Sequence, residues 1–446
     1  MINCFIPFLS LPQARQTVRA LGLCDRIKNI YLLATEKIPD EVEGCEMLMI
    51  DSPASTATFR TIALHADTAY TLLYTKYTAF EPGQFAFERL LAIAGDTNAG
   101  MLYADRYLLK NGNSQQAPVI DYQKGSLRDD FDFGSLLFFR SSVLKQAVRA
   151  MDADYRFAGL YDLRLRVSEL AELVHVNEYL YSEVETDIRK SGEKLFDYVD
   201  PKNRAVQIEM EAVCTAYLKR VGGYLAPDFE PVTFDAGGFE QEASVIIPVR
   251  NRIRTIEDAI RSVLAQKTTF RFNLIIVDNH STDGTSEAIG KYTADGRVVH
   301  LVPERSDLGI GGCWNVGVHH PACGKFAVQL DSDDVYSGPD TLQKIVDAFY
   351  EQNCAMVVGT YRMTDFKMNE IPPGIIDHRE WTLENGRNNA LRINGLGAPR
   401  AFYTPVLRRI NLPNTSYGED YALGLRISRT WRIGRIYDVL YLCRRW

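Results

Sequence analysis

The chain has 446 residues, of which 46% are hydrophobic and 24% charged, so it is not a disordered chain and is long enough for two domains or more. Its net charge of −7 argues against a general nucleic-acid binder, which needs a large basic surface. The sequence contains neither an apolar run of membrane-spanning length nor the pattern of a signal peptide, so we expect a cytoplasmic protein without a membrane span.

The eight cysteines are scattered along the chain without any C-x-x-C pair. This usage is typical of a reducing compartment and predicts neither a disulfide framework nor a zinc site. We therefore expect core or incidental thiols.

Apolar runs in the first half of the chain indicate buried strands, and a later segment with helical spacing follows them. The runs lie at residues 3–7, 30–33, 70–74 and 133–139, and the helical spacing covers residues 206–218. Residues 226–238, rich in proline, glycine and acid, then read as a linker.

After this linker the pattern restarts. It predicts a strand at 243–248, a helix at 255–266, a strand at 273–278, a strand at 326–330, a long loop at 371–395 and an amphipathic helix at 423–430. The order strand, helix, strand is typical of a βαβ unit with a parallel sheet flanked by helices.

Several segments of the two halves match in the same order, at separations of about 241 to 263 residues. The closest match pairs residues 163–168 with residues 423–428. An internal duplication would produce this pattern, and we expect two similar α/β domains at residues 1–240 and 241–446. The alternative is that any two α/β domains share apolar strands.

Acidic residues crowd the end of the strand predicted at 326–330. Residues 331–334 read Asp-Ser-Asp-Asp, and carboxylates this close raise one another's pKa unless a divalent cation takes their oxygens as ligands. The alternative is an acidic loop that caps the helix beginning near Asp340.

Three further segments carry polar or flexible residues. Asp278 ends a predicted strand, where ligands bind in open parallel sheets, although a turn residue is the alternative. Glu419 and Asp420 precede a helix and could equally be caps. Between them, the glycines of residues 309–312 would permit close approach to a ligand, and Arg305 offers a fork for a base or phosphate.

Four motifs in order, at residues 244–248, 277–283, 330–334 and 418–421, resemble the family-2 glycosyltransferases of the GT-A fold. The resemblance covers residues 243–446. It implies metal-dependent, inverting transfer of a sugar from a nucleotide-diphospho-sugar, with a UDP-sugar favoured, to a hydroxyl of a glycan or lipid-linked saccharide. Homo-oligomers and peripheral contact with the inner face of a membrane stay open.

The resemblance also implies roles for individual residues. The donor nucleotide would be bordered or bound by Pro248, Val249, Arg250, Asp278, Arg305, Asp331 and Ser332. Asp331 and Asp333 would flank Mn²⁺ or Mg²⁺, which stabilises the charge that builds on the departing diphosphate. Asp420, beside Glu419, would be the general base that takes the proton of the acceptor hydroxyl.

The first half lacks these residues. Residues 75–78, which face 331–334 in the repeat, read Thr-Lys-Tyr-Thr and hold no carboxylate. A lysine opposes a cation electrostatically, so we expect a diverged GT-A-like domain without transferase activity.

Two other functions share parts of this pattern. A sugar-1-phosphate nucleotidyltransferase would open its first strand with a glycine-rich basic loop, but residues 248–252 contain no glycine. A non-catalytic sugar- or protein-binding module would need only the fold.

Overall fold

The computed structural model describes residues 1–37, 40–110, 112–184, 203–235 and 237–445. These residues form two compact units, the first ending at Tyr224 and the second beginning at Leu225. The predicted linker at 226–238 therefore lies with the second unit, apart from Ala236, which is outside the described residues. Helices long and apolar enough to cross a bilayer are absent from the described residues.

The elements of the first unit follow one another as strands and helices of 3 to 17 residues. In chain order they are β1 (Ile2–Pro7), α1 (Leu11–Gly22), β2 (Ile27–Ala34), β3 (Glu46–Met49), α2 (Thr56–His65), β4 (Tyr70–Tyr74), β5 (Phe80–Pro82), α3 (Ala86–Thr97), β6 (Met101–Lys110), β7 (Asn113–Ala117), β8 (Leu136–Arg140), α4 (Ser141–Arg149), α5 (Gly159–Leu170), β9 (Leu173–Val184) and α6 (Arg204–Arg220).

The elements of the second unit repeat this alternation. They are β10 (Ala243–Val249), α7 (Ile256–Leu264), β11 (Phe272–Asp278), α8 (Thr285–Gly290), β12 (Val298–Leu301), α9 (Ile310–His319), β13 (Phe326–Gln329), β14 (Val335–Tyr336), α10 (Thr341–Gln352), β15 (Met356–Asp365), β16 (Glu370–Ile376), α11 (Gly386–Asn389), β17 (Arg400–Tyr403), α12 (Thr404–Ile410), α13 (Glu419–Ser428) and β18 (Ile433–Arg445).

Both units have the same sheet topology. Over the described residues, the first sheet runs β3-β2-β1-β4-β8-β6-β9-β5, with β7 paired to β6. The second runs β12-β11-β10-β13-β17-β15-β18-β14, with β16 paired to β15, so each strand of one sheet has a counterpart in the other. The predicted fold class, two tandem α/β units, is confirmed. Common origin by duplication stays a prediction.

Each sheet contains fewer parallel strand pairs than expected. Strands β12, β11, β10 and β13 pair in parallel, but β13 pairs antiparallel with β17, and β17 with β15. Each sheet is therefore mixed, not mostly parallel. The βαβ pattern predicts only the parallel half, because β17 carries no sequence mark of its direction.

Apolar patterning explains the core of the second unit. Every residue of β11 is buried, as expected for a strand covered on both faces. Helix α7 buries Ile256, Ala259, Ile260 and Val263, the residues whose spacing predicted it, against this sheet.

The loop predicted at residues 371–395 is wrong in part. Its first residues belong to β16, which pairs with β15, and residues 386–389 form α11. Pro372 and Pro373 hid the strand from a pattern-based reading. They are tolerated because β16 lies at the edge of the sheet, where a missing N–H leaves no partner unsatisfied.

Candidate active site

A cavity of about 400 Å³ opens in the second unit, where strands β10 and β13 end. It lies beyond the carboxyl ends of parallel strands, the usual place for ligands in such sheets. Six predicted site residues are among those that line it: Pro248, Asp331, Ser332, Asp333, Glu419 and Asp420. The acidic strand end and the acid pair that begins α13 therefore share one cavity.

The acidic run after β13 is held by backbone and side-chain contacts. The Asp331 N–H donates to the hydroxyl oxygen of the buried Tyr441 at 3.1 Å. Asp334 accepts a hydrogen bond from the Arg444 N–H at 2.7 Å. The Asp333 carboxylate lies 3.6 Å from the Arg252 guanidinium and is partly exposed to the cavity.

These carboxyl groups are poorly neutralised by the protein. Burial raises the pKa of Asp331, and the charge of Asp333 raises it further against the opposing effect of the Gln329 hydrogen bond and Arg400. Burial and the charge of Asp331 raise the pKa of Asp334 to about 7. A bound divalent cation would reduce the repulsion between these buried carboxylates, and carboxylate oxygens are the donors that Mg²⁺ and Mn²⁺ prefer. The residues present thus fit such a cation.

The acid pair opens helix α13. Gly418 precedes it with φ of 78°, a left-handed conformation suited to glycine. Asp420 forms an ion pair with Arg400 Nη2 at 2.6 Å. Glu419 is buried, and its Oε2 has no hydrogen-bond partner among the described residues. Burial, reinforced by the charge of Asp420, raises the pKa of Glu419.

The glycines at the start of α9 pack closely against another loop of the second unit. A Cβ on Gly311 would lie 2.0 Å from the Pro413 carbonyl oxygen. The Gly311 N–H donates to the Thr415 carbonyl at 2.9 Å, and the Gly309 N–H donates to Asn414 Oδ1 at 2.8 Å. These glycines permit close packing on residues 413–415 and so place the loop that leads to the acid pair.

Four predicted donor residues do not line the cavity. Val249 is buried and Arg250 is exposed. Arg305 is exposed and pairs with Asp307 at 2.6 Å. Asp278 lies fully buried at the end of β11.

The partners of Asp278 are provided by its own loop and by β12. Its carboxylate accepts hydrogen bonds from the Ser281 N–H at 3.0 Å and from the Ser286 hydroxyl, and His300 Nε2 lies 3.4 Å away. Burial acts to raise the pKa of Asp278, but these hydrogen bonds outweigh it and lower the pKa. Its present contacts are those of a turn-stabilising carboxylate.

Gln329 and Arg400 also line the cavity, although the sequence predicted no role for them in the active site. Gln329 interrupts an apolar strand, which was the only sequence signal for it. No sequence pattern marked Arg400 as a residue of the active site. It reaches Asp420 within the cavity, a contact between residues 20 positions apart that no spacing rule reveals.

The matching position of the first unit contains an internal ion cluster. Lys76 lies 2.6 Å from Glu183, and Arg106 lies 3.0 Å from Glu183 and from Asp132. Residues 75–78 hold no carboxylate, as the sequence shows, but β9 supplies the fully buried Glu183. Its charge is met by two cations of the protein.

Comparison with known proteins shows a family match over part of the second unit. Residues 244–409 match the model of glycosyl transferase family 2. An uncharacterized glycosyltransferase of Rickettsia felis is 30% identical over 200 residues, 44% of this chain and 32% of that protein. The putative teichuronic acid biosynthesis glycosyltransferase TuaG of Bacillus subtilis is 33% identical over 120 residues, 27% of this chain and 46% of that protein. The chain therefore spans less than half the length of either relative.

Similar solved structures include S. aureus TarS 1–349 in complex with UDP-GlcNAc, with a TM-score of 0.39 and 22% identity over 46% of this chain and 59% of that one. Another is the mannosyltransferase PcManGT from Pyrobaculum calidifontis in complex with GDP-Man and Mn²⁺, with a TM-score of 0.36 and 19% identity over 53% and 65%. These scores do not by themselves establish a shared fold. The match over 244–409, together with the glycosyltransferase relatives, identifies this segment as a family-2 glycosyltransferase domain.

Proposed function

We propose that the second unit transfers a sugar from a nucleotide-diphospho-sugar, preferably a UDP-sugar, to a hydroxyl of a glycan or lipid-linked saccharide, with inversion at the anomeric carbon. One observation carries the proposal: the acidic run of residues 331–334 and the pair Glu419–Asp420 line the same cavity. The first set suits a cation and a diphosphate, and the second suits a reacting hydroxyl.

The residues divide the chemistry between them. Asp331 and Asp333 would hold Mn²⁺ or Mg²⁺, which supplies Lewis-acid stabilisation of the departing diphosphate when bound. Asp420 would accept the proton of the acceptor hydroxyl while the hydroxyl oxygen forms its bond to the anomeric carbon. The bond from that carbon to the phosphate oxygen breaks with its electron pair on the oxygen, and a single displacement inverts the carbon.

Thermal unfolding with a panel of nucleotide sugars tests donor binding. UDP-sugars and GDP-mannose are screened with and without Mn²⁺, and the matching donor should raise the Tm only when Mn²⁺ is present. At a concentration of 100 Kd it adds about 2.7 kcal/mol of stability. The variant Asp331→Asn should lose this gain, whereas Asp438→Asn should keep it, because Asp438 is an exposed carboxylate paired with Lys344.

Product analysis then identifies the reaction. Release of nucleoside diphosphate together with a glycosylated acceptor of inverted configuration is expected. Pyrophosphate release from a nucleoside triphosphate would instead show a sugar-1-phosphate nucleotidyltransferase. If no donor binds in a metal-dependent manner, the result would favour a non-catalytic binding module.

We also propose that the first unit is non-catalytic. The cluster of Lys76, Arg106, Asp132 and Glu183 contains two cations and two carboxylates, whereas the second unit gathers carboxylates that its own cations neutralise poorly. In the full chain, Asp331→Asn combined with Asp420→Asn should abolish transfer. Residual turnover in this double variant would show a second active site.

A further inference from the structure

A buried glutamine connects the two halves of the cavity. Gln329 is 7% exposed and is the last residue of β13. Its Nε2 donates to Asp331 Oδ1 at 3.0 Å. Its Oε1 accepts hydrogen bonds from the Arg400 backbone N–H at 3.2 Å and from Arg400 Nη1 at 3.1 Å.

Arg400 continues the connection to the acid pair. Its side chain is 12% exposed, and its Nη2 forms an ion pair with Asp420 Oδ2 at 2.6 Å. Its Nε donates to the Leu396 carbonyl, which fixes the plane of the guanidinium. Hydrogen bonds therefore connect Asp331 through Gln329 to Arg400, and an ion pair connects Arg400 to Asp420. We name this series of contacts the amide–guanidinium bridge.

The chemistry of the bridge suits a primary amide at residue 329. An amide can donate to one carboxylate while its oxygen accepts from a guanidinium, whereas an ionised glutamate has no proton to donate and an aliphatic side chain does neither. Because the position is buried, unmade hydrogen bonds here are costly. The glutamine is therefore matched to both of its neighbours.

The first unit provides an internal comparison. The strand ladders pair Phe5 with Leu73 in the first unit and Ile246 with Gln329 in the second, at the same step of each ladder. Across the next strand Leu73 faces Leu137, the position that Arg400 holds in the second unit. In the first unit, leucine therefore stands at the positions of both bridge residues, and that unit also lacks the acidic residues at the end of the matching strand.

We propose that Gln329 and Arg400 are positioning residues that hold Asp331, on the donor side, and Asp420, on the acceptor side, in one fixed relative orientation. This inference rests on the proposed function. In this role neither residue acts on the reacting atoms itself. The bridge keeps the carboxylate that faces the cation and the carboxylate that faces the acceptor aligned for the same displacement.

A double-mutant cycle in the full chain tests the bridge. Gln329→Met and Arg400→Met should each lower kcat by about 10- to 100-fold, the usual effect of losing an orienting contact. Since both substitutions break one bridge, the double variant should be no more than about 3-fold slower than the slower single variant. Gln343→Met is the matched control, because Gln343 also bonds two groups but lies on α10 outside the cavity.

The separate effects on kcat and KM distinguish positioning from a general loss of structure. Arg400→Met should lower kcat with little change in the KM of the donor, and Arg400→Lys, which keeps a cation beside Asp420, should recover part of the lost kcat. Multiplicative effects in the cycle, or single variants with wild-type kcat, would overturn the bridge while the proposed function stands.

If the wild-type chain transfers no sugar, the proposed function fails separately. The bridge is then judged by the free energies of unfolding of the same four proteins of the cycle. Non-additive effects of the substitutions at residues 329 and 400 on the free energy of unfolding support it, and additive effects overturn it.

Discussion

The substitution Asp420→Asn isolates the proposed general base. Asparagine has nearly the same shape, and its oxygen can still accept the hydrogen bond from the Tyr421 N–H, which is 2.6 Å long in the structure. It cannot accept a proton at neutral pH. We therefore expect kcat to fall by about 10²- to 10⁴-fold, which corresponds to about 3–5 kcal/mol of transition-state stabilisation.

The structure predicts a much smaller effect of this substitution on stability. Asp420 is 31% exposed, so its ion pair with Arg400 is partly screened by solvent. Arg400 also keeps its contacts with Gln329 and Leu396. We expect a loss of about 1 kcal/mol or less in the free energy of unfolding.

Release of nucleoside diphosphate, measured at saturating donor and constant Mn²⁺, gives kcat for the wild type, Asp420→Asn and the control Asp438→Asn. Urea unfolding of the same proteins gives their stabilities. If Asp420→Asn retains more than about a tenth of the wild-type kcat, the assignment of the base is refuted. If its stability falls as strongly as its activity, the reasoning about this ion pair is wrong.

Three further predictions concern other parts of the fold. Gly311→Ala should destabilise the second unit by about 1–3 kcal/mol and lower transfer, because its Cβ would overlap a carbonyl oxygen at 2.0 Å, whereas Gly290→Ala, with no atom within 4 Å, should do neither in urea unfolding and kinetic assays. Burial, partly offset by the neighbouring Glu380, lowers the pKa of His378 from its usual value of 6.5. As the pH drops below about 6.5, this histidine is therefore protonated in the unfolded state before it is protonated in the folded state, and the stability of the wild type falls. His378→Gln should show a smaller fall between pH 7 and pH 5, and an unchanged pH dependence would contradict this account. Glu183→Gln should destabilise the first unit by about 3–5 kcal/mol in urea unfolding, because two cations lose their buried counter-charge, and a loss below about 1 kcal/mol would show that the cluster is well solvated.

The elements with apolar periodicity could be predicted from the sequence. The helix expected at 255–266 is α7, and the strand expected at 70–74 is β4 with the same ends. Burial drives both periodicities, so each is visible within a short window of residues. The strand β16 was missed because its prolines contradict a strand in every position except an edge, and edges are defined by tertiary structure.

The candidate site could be predicted where one short motif carries it. The acidic run at 331–334 and the acid pair that begins α13 were visible, and both line the cavity. Gln329 and Arg400 were not assigned to the site, because their meaning depends on a cross-strand contact between residues 71 positions apart. Asp278 shows the converse, since a local motif placed it correctly at a strand end but could not show that its oxygens are engaged by neighbouring serines.

The shared strand order of the two units has a consequence for experiments on the active site. In the first unit the same arrangement of strands forms with leucine at positions 73 and 137 and threonine at position 75. The chain thus contains its own evidence that this sheet does not need the polar residues of the cavity in order to form. Substitutions of the polar residues that line this cavity can accordingly be expected to yield folded protein, so the chemistry of the site and the folding of the unit can be studied independently of each other.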